Sequence, residues 1–157
     1  MNVDTYTLNL KLSKEIFEKH REKIQLNMCY KNIYLIHDCL ELKNYNYQIA
    51  YGFLLDEDIC SRHCFILLDD KTILDPTAFL FLTKKELEIN AVRYCIIKTF
   101  NTTDYLVETL KSSDLSLTNL LINEEIEIHD KLMKYGYKRN EYEFDDFIIS
   151  RLGTVTI

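Results

Sequence analysis

The stretch Cys29-Tyr30-Lys31-Asn32 opens a run of apolar residues that recur with the spacing of a buried helix. Asn27 is suited to be the N-cap of this helix, which places Cys29 in its first turn. The N–H groups and the dipole at a helix N-terminus stabilise an anion and lower the pKa of a thiol there. Cys29 is therefore a candidate nucleophile, with an inert buried thiol as the alternative interpretation.

Two later stretches, Arg62-His63-Cys64-Phe65 and Leu74-Asp75-Pro76-Thr77, predict the strands of a β-hairpin with a turn at residues 69–71. Antiparallel pairing about residue 69 places His63 directly opposite Asp75, with their Cβ atoms about 5 Å apart. A carboxylate beside an imidazole fixes its tautomer and stabilises the imidazolium form. Cysteine, histidine and aspartate are the components of a thiol nucleophile, its general base and the residue that orients the base.

The whole chain, residues 1–157, is predicted to form a single α+β domain. Residues 47–54 alternate as a strand, and Gly52 within it predicts a β-bulge or a close approach by another group. The other predicted elements are a helix over residues 13–24 capped by Ser13, a helix over 84–89, a strand over 92–100, a helix over 103–110, a helix near 117–121, and a helix capped by Asn123 that ends at Gly136. The acidic and aromatic residues 141–146 are predicted to lie on the surface or to face a partner.

The composition argues against several classes of function. A formal net charge of −6 argues against a nucleic-acid partner, because phosphate binding favours a basic surface. No apolar run approaches the ~20 residues that span a bilayer, and residues 1–5 lack the basic and apolar regions of a signal peptide. Five cysteines without small-scaffold spacing indicate reduced thiols. We therefore expect a cytoplasmic protein without a membrane or nucleic-acid partner, with signal-independent export left open.

Four short motifs together resemble the papain-like/transglutaminase-like cysteine enzymes. They are Cys29-x-x-Asn32, Tyr51-Gly52, His63-Cys64-Phe65 and Asp75-Pro76-Thr77, and the similarity covers about residues 27–77. The resemblance implies an α+β fold in which a cysteine at a helix N-terminus packs on an antiparallel sheet that carries the histidine and the aspartate. It also implies acyl transfer from an amide through a thioester, as in proteases, amidases, glutamine deamidases and transglutaminases. The family often has tryptophan near the histidine, whereas this chain contains no tryptophan.

Carried over residue by residue, the resemblance assigns three catalytic roles. Cys29 is the expected nucleophile, His63 the general base and then acid, and Asp75 the residue that orients His63. The oxyanion hole is expected from the backbone N–H of Cys29 and a donor just upstream, either Gln25 or Asn27. No metal ion or other cofactor is expected, and the expected substrate is a protein or peptide, with a slight preference for a glutamine side chain or a short peptide end.

Two other interpretations of the same residues stay open. The first is a metal site formed by Cys60, His63 and Cys64, with Cys95 as an optional further ligand, although adjacent strand residues point to opposite faces. The second is a non-catalytic protein-interaction domain in which Cys29 and His63 are core residues, because a fold does not establish an activity.

Overall fold

The computed structural model describes residues 3–140. In chain order the elements are α1 (Leu10–Lys19), α2 (Cys29–Ile36), a 3₁₀ helix (Leu40–Leu42), β1 (Tyr47–Asp56), β2 (Ile59–Leu68), β3 (Ile73–Leu74), α3 (Ala78–Phe81), α4 (Lys84–Glu88), β4 (Arg93–Phe100), α5 (Thr102–Ser112), α6 (Ile122–Lys134) and β5 (Lys138–Arg139). The structure is thus α+β with a small antiparallel sheet, as predicted. The acidic and aromatic residues 141–146, predicted to be surface or partner-facing, lie outside the described residues.

Four strands form the antiparallel sheet in the order β3-β2-β1-β4, and the short β5 pairs in parallel with β2. β1 and β2, of ten residues each, form a hairpin in which Gly52 lies opposite His63. β1 pairs with β4 on its other side, and the register shifts between Tyr51 and Gly52. A Cβ atom on Gly52 would lie 1.9 Å from the carbonyl oxygen of Cys95, so a larger residue does not fit. The bulge and close approach predicted at Gly52 are confirmed.

Both faces of the sheet are buried. On one face, Ile33 of α2 belongs to the same core cluster as Cys64 of β2. On the other face, Phe65 of β2 packs with Tyr94 of β4. Because successive strand residues point to opposite faces, His63 shares the Phe65 face, and its ring lies 6.1 Å from that of Phe65.

The first helix begins earlier than predicted. Asn9 is its N-cap, and the Asn9 side chain accepts the N–H of Leu12 at 3.0 Å. The predicted N-cap at Ser13 is therefore wrong, and Ser13 is a buried residue inside α1. Asparagine and serine are comparably good N-caps. A tertiary contact of the Ser13 hydroxyl, described below, takes the place of a capping bond.

The segment before the last helix also differs from the prediction. Residues 117–121 do not form a helix: Leu117 has φ 50°, outside the right-handed helical region, and residues 118–121 form turns. α6 begins directly after Leu121, so the predicted N-cap at Asn123 is wrong. Its predicted end at Gly136 is confirmed, since Gly136 has φ 93° and its N–H donates to the carbonyl of Met133.

The helices of residues 3–140 are short, and the longest of them, α6, has 13 residues. Across this part of the chain, none combines the length and the apolar character that crossing a bilayer requires.

Candidate active site

His63 and Asp75 form a buried pair beside the edge of the sheet. Nε2 of His63 lies 2.8 Å from Oδ2 of Asp75, and the two residues are 6% and 0% exposed. An ionised carboxylate only accepts hydrogen bonds, so Nε2 carries the hydrogen of this contact. Nδ1 is then the ring nitrogen with a lone pair that can take up a proton.

The contact forms in a register different from the predicted one. The strands pair Ile66 with Leu74 and Leu67 with Ile73, two residues away from the register in which His63 faces Asp75 directly. The predicted register is therefore wrong. A shift of two residues keeps every side chain on its original face, so the His63 side chain still reaches Asp75, as a diagonal neighbour.

Two further side chains hold Asp75 in place. The hydroxyl of Tyr94 donates to Oδ2 at 2.8 Å, and the hydroxyl of Ser13 accepts the Asp75 backbone N–H at 3.1 Å. Burial, together with the Asp75 charge and this hydrogen bond, raises the pKa of Tyr94 well above its ordinary value, so Tyr94 remains a donor. Neither contact was predicted from the sequence, in which Ser13 is interpreted only as an N-cap, because each contact joins segments that are far apart in the chain.

Cys29 is the first residue of α2, and Met28 occupies the N-cap position. The predicted N-cap at Asn27 is wrong by one residue, because Asn27 has φ 60° and belongs to the turn that leads into the helix. The predicted place of Cys29 in the first turn is confirmed. Its side chain is only 2% exposed.

Asn32, one turn after Cys29, fixes the segment that enters α2. Its Nδ2 donates to the carbonyl of Gln25 at 2.8 Å and to Oγ1 of Thr77 at 3.0 Å. Its Oδ1 accepts the Gln25 N–H at 3.0 Å. The sequence signal for this role is an amide residue on the buried face of an otherwise apolar helix, a position that requires hydrogen-bond partners.

A cleft of about 610 Å³ runs past these residues. Cys29 and His63 both line it, and so do Asn27 and Thr77. Of the two predicted oxyanion-hole residues, Asn27 therefore lies at the cleft. Gln25 is exposed and is not among the lining residues, and its backbone N–H and carbonyl bond to Asn32 instead.

Part of the cleft lining is acidic, and this acidic wall is formed by Asp56, Glu57 and Glu86. Burial and the charges of Glu86 and Glu57 raise the pKa of Asp56 to about 6. Hydrogen bonds from the backbone and side chain of Thr83 lower the pKa of Glu86. Near neutral pH this wall presents negative charge to whatever enters the cleft.

The alternative metal site is not assembled. A metal site needs at least three ligand atoms of His, Cys, Asp or Glu close together. Among residues 3–140, no set of three such atoms within 4.8 Å of one another includes Cys60, His63, Cys64 or Cys95. The reason is strand alternation, because Cys64 packs toward α2 and His63 faces the opposite side of the sheet. All five cysteines are present as thiols.

No protein-family model, curated protein or solved structure matches this chain. The assignment of a function consequently depends on the residues of the cleft and on their geometry.

Proposed function

We propose that this protein is a cysteine-dependent amide hydrolase or acyltransferase of the papain-like/transglutaminase-like kind. Its nucleophile is Cys29, its general base and acid is His63, and Asp75 orients His63. The observation that carries the proposal is the buried His63–Asp75 hydrogen bond of 2.8 Å beside a cleft that Cys29 also lines. Pairing with a carboxylate through one ring nitrogen prepares the other to exchange a proton.

In the proposed reaction, Nδ1 of His63 takes the thiol proton of Cys29 and the sulfur attacks the carbonyl carbon of an amide. The carbonyl oxygen becomes an oxyanion, which the N–H of Cys29 and a donor of Asn27 stabilise. His63 then gives its proton to the departing amine, and a thioester of Cys29 remains. Water, or an amine in the transferase case, attacks this thioester and regenerates the thiol.

The proposed substrate is a protein or peptide that offers a glutamine side chain or a short peptide end. A cleft of about 610 Å³ accommodates a side chain or a few residues rather than a long peptide. The acidic wall formed by Asp56, Glu57 and Glu86 disfavours acidic substrates at neutral pH.

Selective alkylation tests the role of Cys29. Iodoacetamide at neutral pH should modify Cys29 before the other four cysteines, as read by peptide mass spectrometry. Cys39 is the internal control because it is more exposed than Cys29, so faster reaction at Cys29 cannot result from exposure. His63→Ala should slow the modification of Cys29 and leave that of Cys39 unchanged. Equal labelling of all five cysteines, or protection of Cys29 alone, contradicts the proposal.

Mass spectrometry of candidate protein partners tests the reaction type. Deamidation replaces an amide NH₂ with OH and adds about one dalton per site by this acyl-transfer route. The gain should appear with the wild-type protein, be absent with Cys29→Ala, and persist with EDTA. Cleaved backbones would instead identify a protease.

A second candidate function is a non-catalytic protein-interaction domain. The observation that favours it is the low exposure of Cys29, at 2%, because a nucleophile must meet its substrate. If partners bind with equal affinity to wild-type protein and Cys29→Ala and neither is changed in mass, this second function is the correct one.

A further inference from the structure

Three donor side chains of different chemistry converge outside the cleft. They are His20, Cys39 and Glu41, and one ligand atom from each lies within 4.8 Å of the other two. Nε2 of His20 is 3.0 Å from Oε1 of Glu41. Each of the three residues is partly buried, so the cluster is shielded in part yet reachable from solvent.

Two helix ends and a tight turn bring these residues together. His20 is the C-cap of α1, where the negative end of the helix dipole favours a cation. Cys39 is the N-cap position of the 3₁₀ helix Leu40–Leu42, and Glu41 lies within that helix. Burial and the negative charge of Glu41 raise the pKa of the Cys39 thiol, and the backbone N–H groups of Leu42 and Glu41, which donate to its sulfur, lower it in part.

We propose that His20, Cys39 and Glu41 bind a divalent, thiophilic metal ion of the zinc class. Imidazole nitrogen, thiolate sulfur and carboxylate oxygen are the donors of protein zinc sites, at about 2.0–2.3 Å from the ion. Tetrahedral geometry at those lengths separates neighbouring donors by about 3.3–3.8 Å. The Nε2–Oε1 distance of 3.0 Å therefore has to open slightly, and the distances to the Cys39 sulfur, which lie within 4.8 Å, need at most a contraction of about 1 Å. One thiolate and one carboxylate balance the charge of the ion.

On binding, the Cys39 S–H bond breaks, an S–metal bond forms and the proton passes to solvent. His20 coordinates through Nε2 as the tautomer with its hydrogen on Nδ1, so the hydrogen that Nε2 donates to Glu41 is exchanged through solvent for one on Nδ1. The fourth position is left for water, as in zinc sites with three protein ligands. The ion would then cross-link the end of α1 to the segment after α2.

This site is separate from the proposed active site. Cys29 begins α2 and Cys39 follows its end, and eight helical residues span about 12 Å. The proposed hydrolysis does not use the ion. An experiment that contradicts the proposed function therefore leaves the metal site untouched, and the reverse also holds.

Titration of the full-length, metal-free protein with Co²⁺ tests the proposal. Cobalt bound to a thiolate gives a sulfur-to-metal charge-transfer absorption band, and Zn²⁺ should displace it. The band should appear with wild-type protein and with Cys29→Ala, which removes the cleft thiol. It should be lost with Cys39→Ser, and at least a tenfold higher Co²⁺ concentration should be required with Glu41→Gln or His20→Ala.

Lys19 supplies a matched control because its charge acts on Glu41 without offering a donor. Lys19→Gln should strengthen Co²⁺ binding. Circular dichroism establishes whether each variant is folded. If His20→Ala does not fold, the isosteric Glu41→Gln still tests the proposal. Absence of a band with folded wild-type protein at millimolar Co²⁺, or a band retained in Cys39→Ser, overturns the proposal.

Discussion

The Asp75 carboxylate is fully buried, yet both of its hydrogen bonds reach one oxygen. Oδ2 accepts from His63 and Tyr94, whereas Oδ1 has no hydrogen-bond partner among residues 3–140. Burial of a charged group is costly unless other groups compensate for its lost hydration. Replacement of buried charged groups by apolar residues is often neutral or even stabilising. Stability alone therefore gives little reason for a carboxylate at this position, whereas the orienting role proposed for Asp75 requires one.

Removal of the Tyr94 hydroxyl tests this network. Tyr94→Phe deletes a hydrogen bond to a buried carboxylate, and we expect the free energy of unfolding to fall by about 1.5–3 kcal/mol. The alkylation rate of Cys29 should fall as well, because His63 loses part of its support. Urea unfolding and peptide mass spectrometry measure the two effects. Tyr6→Phe is the control, since Tyr6 pairs with Tyr94 through the backbone. Equal behaviour of the two variants contradicts the prediction.

Asp56 makes stability depend on pH. Its pKa in the folded protein is raised from 3.8 to about 6, so the folded protein binds a proton at Asp56 more tightly than the unfolded chain does. Protonation of Asp56 therefore favours the folded state. That contribution is complete below about pH 4 and is lost as the pH rises through about 6. Asp56→Asn should therefore raise the melting temperature at pH 7.5 and leave it unchanged near pH 3.5. Thermal melts across this range measure the effect, with Asp58→Asn as control. A pH-independent difference would contradict it.

At the scale of elements, the entry into α2 decides where the Cys29 thiol lies. The Asn32 side chain bonds to both backbone groups of Gln25 and to Thr77, which follows the Asp75 strand. The same side chain thus joins the turn before Cys29 to the segment after Asp75. The proposed site depends on this link because Cys29 and Asp75 lie on separate elements.

Replacement of Asn32 tests this link. Asn32→Ala should lower the free energy of unfolding by about 1–3 kcal/mol, because buried polar groups lose their partners. It should also slow alkylation of Cys29 several-fold, although Asn32 is not among the residues that line the cleft. The neighbouring Lys31→Ala, at a less buried position, is the control. An unchanged alkylation rate in folded Asn32→Ala would show that the entry segment holds its shape by other means.

The sequence predicted the elements whose signal is periodic. The strand over 92–100 and the contact between His63 and Asp75 are present, the latter despite the wrong register, because a two-residue shift preserves the face. Helix starts were predicted less well. Asn9 and Ser13 are equally suitable N-caps by residue type, and only the tertiary contact of Ser13 with Asp75 shows that Asn9 is the cap. Contacts between distant segments, such as that of Tyr94, leave no local pattern and could not be predicted.

Across the whole molecule, Arg62 of β2 joins the sheet to the helices. Its Nε donates to Glu125 of α6 at 2.6 Å, and its Nη2 donates to the carbonyl of Ser116 at 3.0 Å. Its guanidinium also lies 5.7 Å from the ring of Tyr30 on α2 and 5.4 Å from that of Tyr51 on β1. Burial alone lowers the pKa of Arg62, but Tyr30 and Glu125 raise it overall, so the side chain keeps its charge.

Loss of Glu125 should weaken the whole fold. Glu125→Ala leaves the 5% exposed Arg62 without its counter-ion, and breaking a buried pair in this way costs about 3–5 kcal/mol. Glu127→Ala on the same helix is the control, because Glu127 is 68% exposed and its pair with Lys131 contributes about 0–1 kcal/mol. Urea unfolding measures both.

The double variant Arg62→Met/Glu125→Leu distinguishes two effects. One is the net contribution of the ion pair to stability, and the other is the cost of leaving the Arg62 charge buried without its partner. Because the apolar residues remove both charges at once, this variant should be more stable than Glu125→Ala, even though it carries one more substitution. If Glu125→Ala costs less than about 1 kcal/mol, the aromatic rings of Tyr30 and Tyr51 and the Ser116 carbonyl are sufficient to hold the Arg62 charge. α6 would then be attached to the sheet by its apolar contacts, chiefly through the fully buried Leu132.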